Sequence, residues 1–224
     1  MKKSILVFLI LCAVQIKVCG QKPVPVYEEP RHKPVFINEF VRIIQAKIKD
    51  KDTSLFHIHA TPSAFVFVDS TSYDNQVLGE GWTHPSYPKG YAWYSSFANS
   101  PSTHRVAAHP QQEIFAYDVE LLSKYDTSDP TEWRPLSKDT IFISDKAAGY
   151  RMKLSKTNNK IEIRGRGPIV AILLNGTQLE IKHPLDRQKI IIKEKEYAYL
   201  NPMQEYTIAL KGTSVAELIL FEVR

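Results

Sequence analysis

Cysteine is almost missing from these 224 residues: Cys12 and Cys19 are the two present, and both fall in the first twenty positions. If that segment is removed on export, the rest of the chain has no disulfide, no thiol nucleophile and no thiolate metal ligand. Glycine is scarce as well, with 9 in the chain, and no Gly-rich phosphate loop, Gly-x-Ser-x-Gly elbow or His-Glu-x-x-His pair occurs. Those absences remove the nucleotide-cradling, serine-hydrolase and helix-borne zinc-peptidase templates. No apolar run reaches the roughly 20 residues that a membrane helix needs, and no long amphipathic helix pattern is found.

An excess of one charge is also lacking. The formal net charge of +5 falls to +2 without Lys2, Lys3 and Lys17, whose segment holds no acid. Basic and acidic residues are interspersed over the remainder, so no nucleic-acid partner is expected. Residues 1–20 themselves, MKKSILVFLILCAVQIKVCG, join a basic start to a short apolar stretch and read as a cleaved signal peptide ending near Gly20. The expected location is therefore secreted or periplasmic, with no membrane-spanning segment after cleavage. A lipoprotein anchored through Cys19 is the minority alternative.

What the chain does have is proline (14), aromatic residues (10 Phe, 11 Tyr, 3 Trp) and short Val/Ile/Thr-rich runs, the composition of strands and turns. A Pro-rich lead at 21–34 is expected to run extended along the surface. Strand signals fill 35–123, a Pro/Asp/Ser/Thr segment at 124–137 reads as a linker, and a second strand-rich unit occupies 138–224. The second unit repeats the first in outline: Val41-Arg42 returns as Tyr150-Arg151, Ala64–Val68 as Ile169–Leu174, and Glu113–Leu121 as Ala216–Val223. Two related all-β units of this size predict tandem jelly-roll barrels.

Of the seven histidines, three can carry chemistry together. His57 and His59 are two apart on a strand, so both imidazoles point to one face. His104 lies in a later strand behind a Pro-containing turn, Asn99–Thr103. If the two strands lie across one barrel, three neutral imidazoles converge and leave open positions for water or substrate. His84 reads as loop, with the option of swinging in as a fourth ligand, and His109 as an exposed turn residue. His32 and His183 carry no clear signal. Among the aromatics of Gly79–Tyr94, Trp82, Tyr91 and Trp93 are candidates to line a substrate site, while Trp93 also suits a core position. Arg164 and Arg166 read as solvated charges, and Asn175-Gly176-Thr177 forms a glycosylation sequon.

The His-x-His strand followed by a single His after a turn resembles the cupin superfamily. On that resemblance the chain is a bicupin: a first barrel with a metal site at His57, His59 and His104, and a degenerate second barrel. The family's opening Gly falls on Lys51, its Glu on Ser63 or Ala64, its turn Pro and Gly on Asn99 and Pro101, and its Asn after the last His on Ala108. The result is a three-histidine set without a carboxylate, which some cupin dioxygenases use. Aligning Pro168 with Pro62 places Ile163 and Gly165 where His57 and His59 stand, so the second half is expected to bind no metal and to act as a structural or dimerising lid. The resemblance implies one divalent ion (iron, manganese, nickel or zinc), a small-molecule ligand and a homodimer. The function it implies is an oxygenase-type reaction on a small anionic or chelating substrate, or, alternatively, a non-catalytic binding module of the cell envelope.

Overall fold

The computed structural model describes residues 21–97, 99–125, 134–185, 189–212 and 215–224. The expected signal peptide, with Cys19, and residues 126–133 of the expected linker lie outside the described residues. Eleven strands form the first half: β1 (Val24–Pro25), β2 (His32–Ile37), β3 (Val41–Ile48), β4 (His57–His59), β5 (Ser63–Phe67), β6 (Thr71–Val77), β7 (Trp82–Thr83), β8 (Ser86–Tyr87), β9 (Ala92–Ser95), β10 (Ser102–Ala108) and β11 (Ile114–Leu121). Nine form the second: β12 (Thr140–Ile143), β13 (Ala147–Ser155), β14 (Lys160–Ile163), β15 (Ile169–Asn175), β16 (Gln178–Lys182), β17 (Lys189–Lys193), β18 (Tyr197–Leu200), β19 (Tyr206–Lys211) and β20 (Val215–Val223). Among the described residues no helix is long and apolar enough to cross a membrane.

Each half is a pair of facing sheets. The first pairs β1-β4-β10-β6-β7, with β8 also on β6, against β2-β3-β11-β5-β9. The second pairs β14-β19-β16-β17 against β12-β13-β20-β15-β18. Apart from β1 and β8, which have no counterpart, the orders match, so β4 corresponds to β14, β10 to β19, β5 to β15 and β11 to β20. Each sheet pair encloses its own apolar core: Ala46, Ile48, Phe67, Val106 and Ile114 in the first, Leu154, Ile169, Leu173, Leu179 and Ile208 among others in the second.

A third apolar cluster lies between the two halves. Val41, Ile43, Val66 and Val119 of the first half meet Val170, Ile172, Phe221 and Val223 of the second. This explains the unbroken apolar runs. A strand with one face on solvent alternates, whereas β5 and β15 turn one face to their own barrel and the other to the neighbouring barrel, so nearly every residue is buried. Gly90 adopts φ +75° where the first barrel touches the second: a Cβ there would lie 2.6 Å from Leu174, and its carbonyl accepts a hydrogen bond from Arg151 Nη2 at 2.6 Å. Tyr117 donates to the Lys195 carbonyl at 2.9 Å and Tyr197 to the Val35 carbonyl at 3.0 Å across the same junction.

Two sequence-based expectations change here. The Pro-rich lead does not simply run along the surface, because β1 pairs in parallel with β4 and β2 pairs antiparallel with β3. Its prolines are accommodated because both strands are sheet edges, with Pro34 at a register shift in β2. Arg166 is not solvated: its guanidinium is buried and holds both Glu222 oxygens at 2.7 and 2.6 Å. Arg164 is exposed, as expected.

The contact between barrels makes a prediction. Phe221 is 1% exposed and fills the junction from the second barrel. Phe221→Ala should cost about 3–5 kcal/mol and should lower the denaturation midpoint reported by Trp82 and Trp93 in the first barrel, read by fluorescence in a Trp133→Phe background. A first-barrel midpoint that stays put would show that the barrels unfold independently.

Candidate metal centre

The three histidines occupy neighbouring rungs of one ladder. β10 runs antiparallel to β4 with His104 opposite His57 and Ser102 opposite His59. The strands are therefore hydrogen-bonded neighbours and not partners across the barrel, and the period of two turns all three side chains to the interior. Ring centroids lie 4.5 Å (His57–His104), 5.1 Å (His57–His59) and 5.1 Å (His59–His104) apart. His57 and His59 are buried and His104 is partly buried.

Hydrogen bonding decides which nitrogen faces the centre. His57 Nδ1 lies 2.9 Å from the Leu55 carbonyl, and His104 Nδ1 lies 2.7 Å from Asn75 Oδ1. His59 Nδ1 faces Asp118 Oδ2 at 3.4 Å, longer than a formed hydrogen bond. A carbonyl accepts and cannot donate, which assigns the proton of His57 to Nδ1; His104 follows with the Asn75 oxygen as acceptor, while His59 Nδ1 forms no hydrogen bond. All three Nε2 atoms face inward, those of His57 and His104 as lone pairs. His59 Nε2 and His104 Nε2 are 3.1 Å apart, and the buried His57 Nε2 has no hydrogen-bond partner. In the metal-free chain His104 Nε2 accepts from His59 Nε2 while His57 Nε2 is unsatisfied, and the ligand atoms all fall within 4.8 Å of one another, so a cation among them would engage all three. The donor set thus fits a divalent metal ion, for which oriented neutral imidazoles are suitable ligands.

Four residues of the site carried no readable signal. Asp118, 2% exposed on β11, is buried with neither carboxylate oxygen hydrogen-bonded, a costly arrangement that the nearby His59 ring explains. Its neighbour on the same face, Glu120, is held above the ordinary carboxylate range by burial and by Asp118, against the opposing pull of Arg42 at 2.5 Å. His32 and Glu29 come from the Pro-rich lead. The His32 ring packs 4.3 Å from His57, and its Nδ1 lies 2.7 Å from Glu29 Oε2. Burial raises the Glu29 pKa, but hydrogen bonds from His32 and from the Leu55 amide outweigh it and leave the group ionised below its usual range. The Leu55 peptide thus links Glu29, through its N–H, to His57, through its carbonyl.

Two adjoining cavities open on His59 and His104. The inner one, about 80 Å³, is walled by His32, Ile48, Phe67, Asp118 and their neighbours, and the outer one, about 280 Å³, by Asn75, Thr83, Pro85, Tyr87, Phe97 and Ser102. Trp93 lines both, stacked on Phe65 at 4.8 Å. Trp82 and Tyr91, expected to line the substrate site with it, do not border either cavity. Trp82 sits on the outer side of β6 beneath the Arg105 guanidinium, and Tyr91 stacks outward on Tyr87, each 40% exposed. His84 does not swing in: it lies on the outward face of β6 against Asp74. In the second barrel Ile163 stands opposite Tyr206 where His57 stands opposite His104, and Leu220 replaces Asp118. Among the described residues that barrel holds no group of ligands.

Two facing sheets per half, duplicated, with histidines on the inward face of one sheet, define a two-barrel jelly-roll protein with a metal-competent first barrel. The architecture is the cupin fold, and solved structures show the same arrangement. The chain superposes on AerE from Microcystis aeruginosa with a TM-score of 0.59 at 12% identity, covering 88% of this chain and 98% of that one. It superposes on a cupin 2 conserved barrel domain protein from Leptotrichia buccalis with a TM-score of 0.55 at 9% identity, covering 86% and 88%. A salicylate 1,2-dioxygenase from Pseudoaminobacter salicylatoxidans gives 0.52 at 10% identity, covering 84% and 72%. No family model matches the sequence, and no curated protein matches it.

The buried imidazoles make a prediction for the metal-free protein. Desolvation, and the cost of placing charge beside the other rings, holds His57 well below the ordinary imidazole value of 6.5 and His104 down to about 3. Above pH 6.5 neither the folded nor the unfolded chain protonates them. As pH falls from there towards 3, the unfolded chain binds protons that the folded one refuses, and stability declines. Urea unfolding of chelated protein between pH 7 and 4 should show that decline, and His104→Gln should remove about one proton from the uptake on unfolding. Equal pH slopes for the two proteins would contradict a neutral, buried His104.

Proposed function

We propose that His57, His59 and His104 bind one divalent metal ion, and that the first barrel catalyses an oxygenase-type reaction on a small chelating anion, outside the cytoplasm after loss of residues 1–20. The observation that carries this reading is the convergence of three inward-facing Nε2 atoms, two of them on rings whose Nδ1 is held by an outer acceptor. When iron is bound, it supplies dioxygen activation and a positive charge for the substrate's oxygens.

The protein's own residues do the rest. Neutral imidazoles leave the ion's charge uncancelled, and no Lys or Arg lines either cavity among the described residues, so a substrate anion finds its counter-charge at the triad. Asp118, 3.4 Å from His59 Nδ1, is placed to draw that nitrogen's proton outward when Nε2 engages the metal, which would orient the ring as a ligand. Phe65, Trp93 and Phe97 form an apolar wall that excludes water and fits a flat, small molecule. The similarity in fold to a dioxygenase that acts on salicylate, itself a small chelating anion, supports the reaction class. The second barrel, with its interior filled by Ile163, Tyr206 and Leu220, serves as a structural partner.

Two measurements test the reading. Anaerobically purified protein loaded with iron should consume oxygen in the presence of one member of a panel of small hydroxy- and oxo-carboxylates, salicylate first, and a His57→Ala/His104→Ala variant should not. Retained metal with no uptake across the panel would shift the protein to a binding module. Asp118→Asn should weaken metal affinity about 10- to 100-fold in a chelator competition, and unchanged affinity would remove Asp118 from the site.

A further inference from the structure

We propose a second metal site, for a zinc ion, on the outer surface of the first barrel at Asp74, His84 and His109. It stands apart from the triad and does not rest on the reading of it. The alternation of β6 turns Tyr73 and Asn75 inward to the cavities and Asp74 outward. His84 comes from the turn between β7 and β8, and His109 follows the end of β10, whose Ala107 is the rung partner of Asp74. Three separate chain segments therefore deliver one carboxylate and two imidazoles to one point.

Ligand atoms of the right kind are gathered there by hydrogen bonds. His84 Nδ1 and His109 Nε2 both donate to the same oxygen, Asp74 Oδ1, at 2.6 Å, and all three atoms fall within 4.8 Å of one another, so zinc would displace the two N–H protons and part the three atoms slightly. The imidazole rings are 6.5 Å apart and inclined by 44°, so they approach the carboxylate from different directions. Side-chain exposures of 67% for His84 and 32% for both His109 and Asp74 leave a side open to water. Two nitrogens, one oxygen and a water in the fourth position satisfy a tetrahedral zinc ion. The site has a structural consequence, because Thr83, Pro85 and Tyr87 on either side of His84 line the outer cavity. Zinc at this point fixes that wall to the barrel.

The test is a calorimetric titration of chelator-treated protein with Zn2+ alone, followed by elemental analysis after gel filtration. Wild type should bind two Zn2+ per chain, His57→Ala/His104→Ala one, and the addition of Asp74→Asn to that double variant none. If the double variant does not fold, Asp74→Asn/His84→Ala/His109→Ala in the otherwise wild-type chain serves instead, since all three positions are at the surface. It should lose one of the two ions with an unchanged circular dichroism spectrum. Equal zinc stoichiometry for wild type and the surface triple variant, or no zinc on a folded double variant, would overturn the site. One ion on the wild type that survives His57→Ala/His104→Ala and is lost with Asp74→Asn would support the surface site while removing the triad.

Discussion

Three imidazoles turn their Nε2 atoms towards one another inside a barrel, and much of the first half of the molecule serves to keep them there. The Leu55 carbonyl, Asn75 and Asp118 come from three places in the chain; the first two each hold one ring, and the third lies beside His59. Glu29, from the lead, fixes the Leu55 peptide and orients His32 against His57. Without a cation, this arrangement leaves His57 Nε2 and a carboxylate buried without a hydrogen bond. A fold selected for stability alone would fill the space with hydrocarbon.

The second barrel shows that alternative. It has the same strand order, yet Ile163, Tyr206 and Leu220 occupy the places of His57, His104 and Asp118, and its interior is a continuous apolar core. The pair reads as one architecture used twice, once for a site and once for packing. The apolar contact between them, with Val66, Val119, Val170 and Phe221 at its centre, is where the packed barrel supports the one that carries unsatisfied polar groups.

The parts of this arrangement that could be read from the sequence are those with a period. His57 and His59 share a face because strands alternate, and the continuous runs at Ala64–Val68 and Ile169–Leu174 mark strands covered on both sides. The duplication was visible in the same runs. Other residues have no such pattern around them. Asp118 sits in a strand whose other face is Tyr117 and Val119, and nothing local separates an acid beside a histidine from one at the surface. Thr71–Val77 reads as polar because its inward face lines a cavity and its outward face meets solvent, so the strand supplying Asn75 and Asp74 is hidden. The prolines around His32 pointed to an exposed lead, and edge pairing brings it into the wall of the site.

The central claim is that one cation belongs between the Nε2 atoms of His57, His59 and His104. Crystals of the protein purified without chelator, measured on either side of the absorption edge of the metal found by elemental analysis, would place that ion directly. The account predicts an anomalous peak on the barrel interior at about 2.0–2.2 Å from each of the three Nε2 atoms. An ordered triad bridged by water, with the anomalous signal elsewhere or missing after metal reconstitution, would contradict it.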